Sequence, residues 1–243
     1  IHVIEKNLAL ARRVIEANAA DRNDPVLTLD SRFSSEQTAA YQFPISITQD
    51  DEEYIEREVA GRRFAIINPG GGWPTKLWKT KSYVGLIDWL KREHGLSSVV
   101  TFGPGEESMA RSVVESTETG AAKMLASTLM QFMALARRAD LFVGGDTGPL
   151  HLAAAAGSRI VGLYGPTSPQ RNGPFDPRDV TVGRDLWCRT DCYRRSCWHW
   201  ECMEITPLEV QRAISRRLEQ GARNLEGASS MAKATSELRP VSG

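Results

Sequence analysis

Asp146, Thr147, Gly148 and His151 stand together in the stretch Gly144-Gly145-Asp146-Thr147-Gly148-Pro149-Leu150-His151. Proline suits the first position of a helix, so Pro149 marks a helix start with Gly148 as the expected cap. Lacking a Cβ, Gly148 lets an anion approach the N–H groups of the first turn, where the helix dipole also favours negative charge. His151 lies in that first turn, and Asp146, at the preceding strand end, is placed to accept hydrogen bonds from ligand hydroxyls. A well-capped helix with a satisfied histidine has the same sequence pattern. Asp-Thr-Gly is also the aspartic protease triplet, but that chemistry needs two carboxylates sharing a proton on loops of an all-β fold. The Ala-rich helix that follows excludes it.

Two further loops offer related chemistry. Asn68-Pro69-Gly70-Gly71-Gly72-Trp73-Pro74-Thr75-Lys76-Leu77-Trp78 supplies glycine amides that can cradle phosphate oxygens and a lysine that can neutralise them. It lacks the Gly-Lys-Ser/Thr ending of a Walker loop, and a plain strand-to-helix turn with a surface lysine fits equally. Gly103-Pro104-Gly105-Glu106-Glu107 places acids beyond a glycine turn, where a carboxylate can take ribose hydroxyls or simply face water in a first helical turn.

All four cysteines, Cys188, Cys192, Cys197 and Cys202, fall in one segment with His199 among them. Four thiolates, or three with His199, would close a tetrahedral structural zinc site. Thiols packed beneath Trp187, Trp198 and Trp200 are the other reading. Arg189, Arg194 and Arg195 make the segment basic, suited to an anionic acceptor or to water.

The elements that must position these residues alternate. Strands are expected at Phe64–Asn68, Ser98–Phe102, Lys123–Leu125, Leu141–Gly145, Ile160–Tyr164 and Val180–Val182, with helices between them. Tyr83, Leu86, Ile87 and Leu90 recur at helical spacing before Gly95. Thr128 and Gln131 form a capping box ahead of a stripe of Leu129, Phe132, Met133 and Ala136, and Thr206-Pro207-Leu208-Glu209 opens a last helix. Upstream, a helix is expected behind Asn7 (Leu8 to Ile15), a strand at Pro25–Leu29, and an acidic helix from Asp51 to Ala60. This predicts an α/β fold, a Rossmann-like doubly wound parallel sheet with its loops gathered at the strand C-termini. The expected divisions are 1–60, ending in a linker; 61–220, the sheet; and 221–243, a disordered tail.

Composition narrows the class. The 243 residues carry 30 Lys+Arg and 30 Asp+Glu, so no basic face is implied and nucleic acid is not an expected partner. No apolar run approaches the ~20 residues that span a bilayer, and the first residues do not read as a signal peptide. A cytoplasmic protein is expected. The first residue is Ile1, and material upstream of it is expected.

Asn-Pro-Gly-Gly-Gly-Trp-Pro-Thr-Lys-Leu-Trp, Phe-Gly-Pro-Gly-Glu-Glu, Gly-Asp-Thr-Gly-Pro-Leu-His-Leu-Ala-Ala-Ala and Tyr-Gly-Pro-Thr-Ser-Pro-Gln-Arg-Asn-Gly-Pro follow in order. Together they resemble the heptosyltransferases of glycosyltransferase family 9, from about His2 to the Thr206-Pro207 helix. The resemblance implies the C-terminal, donor-binding half of a GT-B fold, with 1–60 as the end of the N-terminal, acceptor-side domain and its linker and 61–220 as the Rossmann-like nucleotide-sugar donor domain. It also implies inverting transfer of heptose from ADP-heptose to the lipopolysaccharide inner core, with no catalytic metal or other cofactor. It places Gly71, Gly72 and Lys76 on the donor diphosphate and Glu106, or Glu107, near the adenosine ribose. Asp146 would hold sugar hydroxyls, with Thr147, Gly148 and His151 at the phosphates. The catalytic base would lie in the acceptor-side domain, upstream of Ile1, and the protein would work on the inner membrane's cytoplasmic face, in peripheral contact with it. A family member using another sugar nucleotide and a non-catalytic nucleotide-binding module are the competing readings.

Overall fold

Strand β1 (Phe64–Asn68) is apolar along its length because both of its faces are covered. Phe64 and Ile66 enter one buried cluster, and Ala65 and Ile67 enter the other. The period-two alternation of a strand therefore separates two cores, both apolar. The computed structural model describes residues 45–220 except 190, 191 and 193, together with His2, Val3 and Lys6. The expected helix from Leu8 to Ile15, the strand at Pro25–Leu29 and the tail at 221–243 lie outside the described residues.

Helix α1 (Gln49–Val59) precedes β1, capped by Thr48, whose side chain accepts from the Asp51 N–H. The order then runs α2 (Thr80–His94), β2 (Ser97–Thr101), α3 (Glu107–Glu115), β3 (Ala122–Leu125), α4 (Leu129–Arg138) and β4 (Leu141–Gly145). It continues with α5 (Gly148–Ala155), β5 (Ile160–Leu163), the short α6 (Pro169–Asn172), β6 (Val180–Val182) and a last helix, α7, over 207–220. All six strands are parallel, in the order β3-β2-β1-β4-β5-β6. The order reverses between β1 and β4, so the loops leaving those neighbours diverge and open a crevice at the strand C-termini.

Residues from α2 and α7 pack on the face that holds Ala65, Ile67, Val100, Val143 and Val161. Ile55 and Val59 of α1 join residues of α4 and α5 on the face with Phe64, Ile66, Val99, Phe142 and Ile160. The Thr128–Gln131 capping box is formed as expected: Gln131 N–H donates to Thr128 Oγ1 at 3.2 Å, and Thr128 N–H donates to Gln131 Oε1 at 3.0 Å. Thr206 and Glu209 form another ahead of α7. Leu129, expected in the buried stripe, is 56% exposed. It sits at the first position of α4 and faces a cleft instead of the core.

Two buried polar contacts tie helices to the sheet. Arg217 of α7 donates from Nε to Asp179 Oδ1 at 2.8 Å, and that oxygen also accepts the Ile160 N–H at the start of β5. Asp88 of α2 accepts from the N–H groups of Glu118 and Thr119 and from the Thr119 hydroxyl, clamping the turn between α3 and β3.

Burial pushes the Asp88 carboxyl up, and the hydrogen bonds from Thr119 and Glu118, with nearby Arg92, outweigh it and hold the group below its ordinary value. The stability it contributes is therefore present above the unfolded-chain pKa of about 4 and is lost as pH falls through the lower folded value. Asp88→Ala should lower stability by about 1–3 kcal/mol near neutral pH. The gap to wild type should narrow on acidification, as read from urea midpoints across a pH series.

Candidate functional site

The crevice at the β1/β4 switch point holds a cleft of about 410 Å³. Its walls are the loop after β1 (Asn68 and Gly70 to Gly72), the loop after β2 (Phe102, Gly103, Glu106) and the start of α5 (Thr147, Gly148, Pro149). Leu129, Phe132 and Leu152 supply the apolar side. Three loops far apart in the chain thus meet on one cavity because three strands end there.

Glu106 is fixed at the cleft. Its Oε2 accepts the Gly103 N–H at 2.8 Å, folding the loop back on itself. Gly70 lies directly against that carboxylate, and a Cβ at position 70 would overlap it. Gly72 has open space around the same position. The neighbouring acid, Glu107, begins α3 and pairs with Arg111 on the helix surface, outside the cleft. Of the two acids offered by the sequence, Glu106 is therefore the one that faces the cavity.

Helix α5 begins at Gly148, with Thr147 as its cap residue in an extended conformation. The cap falls one residue earlier than expected, so Pro149 takes the second helical position and Gly148 the first. The Thr147 side chain makes no capping bond; its hydroxyl donates instead to Asn68 Oδ1 at 3.4 Å and Gly145 O at 3.3 Å. The helix start thus turns its dipole toward the cleft without a side-chain oxygen filling the anion position. Asn68, which sequence reasoning did not single out, binds the Thr101 carbonyl and hydroxyl through Nδ2 and so links β1, β2 and the α5 start. Its signal was a lone polar residue ending an apolar strand.

On the other side of the α5 start stands Asp146, whose carboxylate is almost wholly buried. Lys76 Nζ donates to its Oδ2 at 2.8 Å and to its backbone carbonyl at 2.9 Å. His151 Nε2 lies 3.2 Å from Oδ1, and Asn172 Nδ2 of α6 donates to Oδ2 at 3.4 Å. Burial alone would raise this carboxyl's pKa; the contacts with His151, Lys76 and Thr167 and the charge of Lys76 outweigh it and hold the group far below the usual range. Asp146 is consequently a fixed anion and hydrogen-bond acceptor at every physiological pH. Thr167 is buried beside it.

The sequence-predicted residues therefore form two adjoining groups. Gly71, Gly72, Glu106, Thr147 and Gly148 line the cleft, while Lys76, Asp146 and His151 form the cluster beside it. Asn172 and Thr167 complete that cluster, and only the fold brings them there. Lys76 Nζ also lies 4.6 Å from the centre of the Trp73 ring, which Arg195 approaches at 5.2 Å.

The four cysteines and His199 also meet, around a separate small cavity. Among the described residues, no three His, Cys, Asp or Glu side chains are gathered into a ready-made metal site.

A parallel sheet of Rossmann type, with a helix start and the Glu106 carboxylate facing one cleft at its switch point, has the architecture of the doubly wound α/β class. The profile of glycosyltransferase family 9 (heptosyltransferase) matches residues 1–199. The chain belongs to that family. It is 26% identical over 154 residues to lipopolysaccharide heptosyltransferase 3 of Escherichia coli, covering 62% of this chain and 45% of that protein. Its fold is similar to that of E. coli ADP-heptose lps heptosyltransferase II (TM-score 0.61, 21% identity, 73% of this chain and 54% of that one). It is also similar to that of TibC, an iron-containing dodecameric glycosyltransferase from enterotoxigenic E. coli H10407 (TM-score 0.51, 17% identity, 74% and 50%). The chain spans about half the length of the curated relatives it matches.

The Gly70–Glu106 contact separates a functional glycine from a permissive one. Gly70→Ala should displace Glu106 and weaken nucleotide binding about tenfold or more, about 1.4 kcal/mol. Gly72→Ala should leave affinity nearly unchanged in the same calorimetric titration.

Proposed function

We propose that this chain is the donor-binding half of an inverting heptosyltransferase that passes heptose from ADP-heptose to the lipopolysaccharide inner core. The observation that carries the reading is the shared cleft: Glu106 and the start of α5 face one cavity at the β1/β4 switch point. A nucleoside laid along it would have ribose hydroxyls at Glu106 and its diphosphate at the Gly71, Gly72, Thr147 and Gly148 backbone. Family membership and the ADP-heptose named for a structurally similar enzyme support the choice of nucleotide.

In this mechanism the leaving group is the nucleoside diphosphate, and the protein's task is to stabilise the charge that develops on it. The α5 dipole and the Lys76 ammonium supply positive potential, and His151 lies on the same side of the helix start. Asp146 accepts hydrogen bonds from sugar hydroxyls. We assign the catalytic base to the acceptor-side domain. No metal is assigned to the transfer step. Among the described residues no helix is long and apolar enough to cross a membrane. We place the acceptor reaction at the cytoplasmic face of the inner membrane, with peripheral contact.

Titration of the chain with ADP and UDP in EDTA tests the reading. ADP should bind in preference; a preference for UDP would discard the heptose donor, and binding of neither would overturn the donor-site assignment. Lys76→Ala should weaken ADP binding by about 1–3 kcal/mol through loss of a charge-assisted contact. That variant also leaves Asp146 buried without its cation, so its melting temperature should fall. Lys76→Met combined with Asp146→Asn removes both charges and should recover stability without recovering affinity.

A further inference from the structure

Lys76 is the cation of the donor-site cluster, yet its charge is already matched. Its side chain is largely buried, and its ammonium donates to both the carboxylate and the backbone carbonyl of Asp146. The Lys76–Asp146 pair therefore directs hydrogen bonds but adds no net charge. His151 adds a charge only when protonated. The dipole of α5 is worth about half an elementary charge. A sugar nucleotide carries a dianionic diphosphate. More charge collects there as the bond to the sugar breaks, its electron pair passing to a diphosphate oxygen. The cleft and its neighbouring cluster thus lack one full positive charge.

One arginine stands beside them. Trp73 and Lys76 share the tight turn after β1, where the Lys76 N–H donates to the Trp73 carbonyl at 2.9 Å. That turn brings the Lys76 ammonium 4.6 Å from the Trp73 ring centre. Arg195 lies over the same ring, with its guanidinium carbon 5.2 Å from the centre. Aromatic faces attract cations, so the ring holds two like charges near one another. Asp146 offsets one of them, and among the described residues no carboxylate pairs with Arg195. Trp73 directly follows Gly72, a wall residue of the cleft. An unmatched, exposed positive charge is therefore held next to the nucleotide cleft.

The fold fixes the backbone that carries Arg195. Thr75, buried in the β1 loop, donates from its hydroxyl to the Arg194 carbonyl at 2.7 Å. Cys202, later in the same segment, lies against Gly165, where a Cβ would come within 3.3 Å of its sulfur. The segment after β6 is thus fastened to the β1 loop at residue 194 and to the β5 loop at residue 202. A side chain on a fixed backbone loses less freedom when it meets a ligand. The planar fork of a guanidinium can also meet two phosphate oxygens at once.

We infer that Arg195, held over Trp73, is a diphosphate-binding residue that supplies the net positive charge the Lys76–Asp146 pair lacks, with Trp73 as its positioning residue. The assignment rests on the donor-site reading of the cleft. In this arrangement the backbone amides of Gly71, Gly72 and Gly148 and the Arg195 guanidinium share the diphosphate oxygens. Charge growing on the leaving group is then offset without help from the Lys76–Asp146 pair.

Calorimetric titration of the 243-residue chain with ADP and with adenosine, in EDTA at low and at moderate salt, tests the assignment. Arg195→Gln should weaken ADP binding about tenfold or more and leave adenosine binding within about twofold of wild type. Its ADP affinity should fall less steeply with salt, because the lost contact is an exposed, screened one. Arg195→Lys keeps the charge without the fork and should recover part of the affinity. Trp73→Leu should weaken ADP binding in the wild-type chain and change it much less in the Arg195→Gln chain, as a positioning role requires. Melting temperatures of the Arg195 variants should match wild type, since the side chain is exposed. Unchanged ADP affinity in Arg195→Gln would overturn the assignment. Equal losses for ADP and adenosine would also overturn it, because the effect would then not act through the phosphates. An undiminished effect of Trp73→Leu in the Arg195→Gln chain would overturn the positioning role. If the wild-type chain bound neither ligand, the donor-site reading would fail and this assignment with it.

Discussion

The buried carboxylate of Asp146 is the constraint around which the C-terminal edge of the sheet is built. A charge so far out of water is tolerated only when it is paired and hydrogen-bonded. Lys76, His151, Thr167 and Asn172 come to it from the β1 loop, helix α5, the β5 loop and helix α6. Each of those segments is thereby held near the start of α5. The cost of leaving the charge unpaired thus fixes where four otherwise independent segments end.

The cleft on the other side of the helix start obeys a steric rule more than an electrostatic one. Asn68 bridges three elements with one side chain. Gly144, paired with it across the β1–β4 ladder, has no room for a Cβ between the Asn68 carbonyl and the Phe142 ring. Gly70 makes the same allowance for Glu106. Gly72 and Gly148 have open space at the corresponding point, and among these loop glycines only Gly105 uses a left-handed backbone.

The segment after β6 differs from the rest in how it is held. Trp78 donates to the Ile205 carbonyl at 2.8 Å and stacks edge-on against Tyr83, which anchors the end of that segment to the β1 loop and α2. Between these anchors, Trp187 and Trp198 are largely exposed. The four cysteines wall a small cavity while these two rings face out, and Met203 and Ile205 at the end of the segment enter the apolar core.

Strand alternation, helical periodicity and the two capping boxes were readable from the chain because they depend on neighbours a few residues apart. β1 and β4 have the bounds that their apolar runs predict. The chemistry of the glycine loops was readable for the same reason: residue type and helix-start signals are local. Four things were decided only by tertiary structure. Leu129 has an apolar side chain at a core-like spacing, and only the cavity beside α4 places it on a wall. Glu106 and Glu107 are equivalent until the Gly103 turn and the direction of α3 separate them. Lys76 could have faced water or phosphate, and a buried carboxylate seventy positions away draws it in. Thr167 and Asn172 join the site because β5 lies beside β4. Sequence specifies which elements form and what donors they carry. Long-range pairing specifies which donors meet, since its energy arises from groups that are neighbours only after the sheet has assembled.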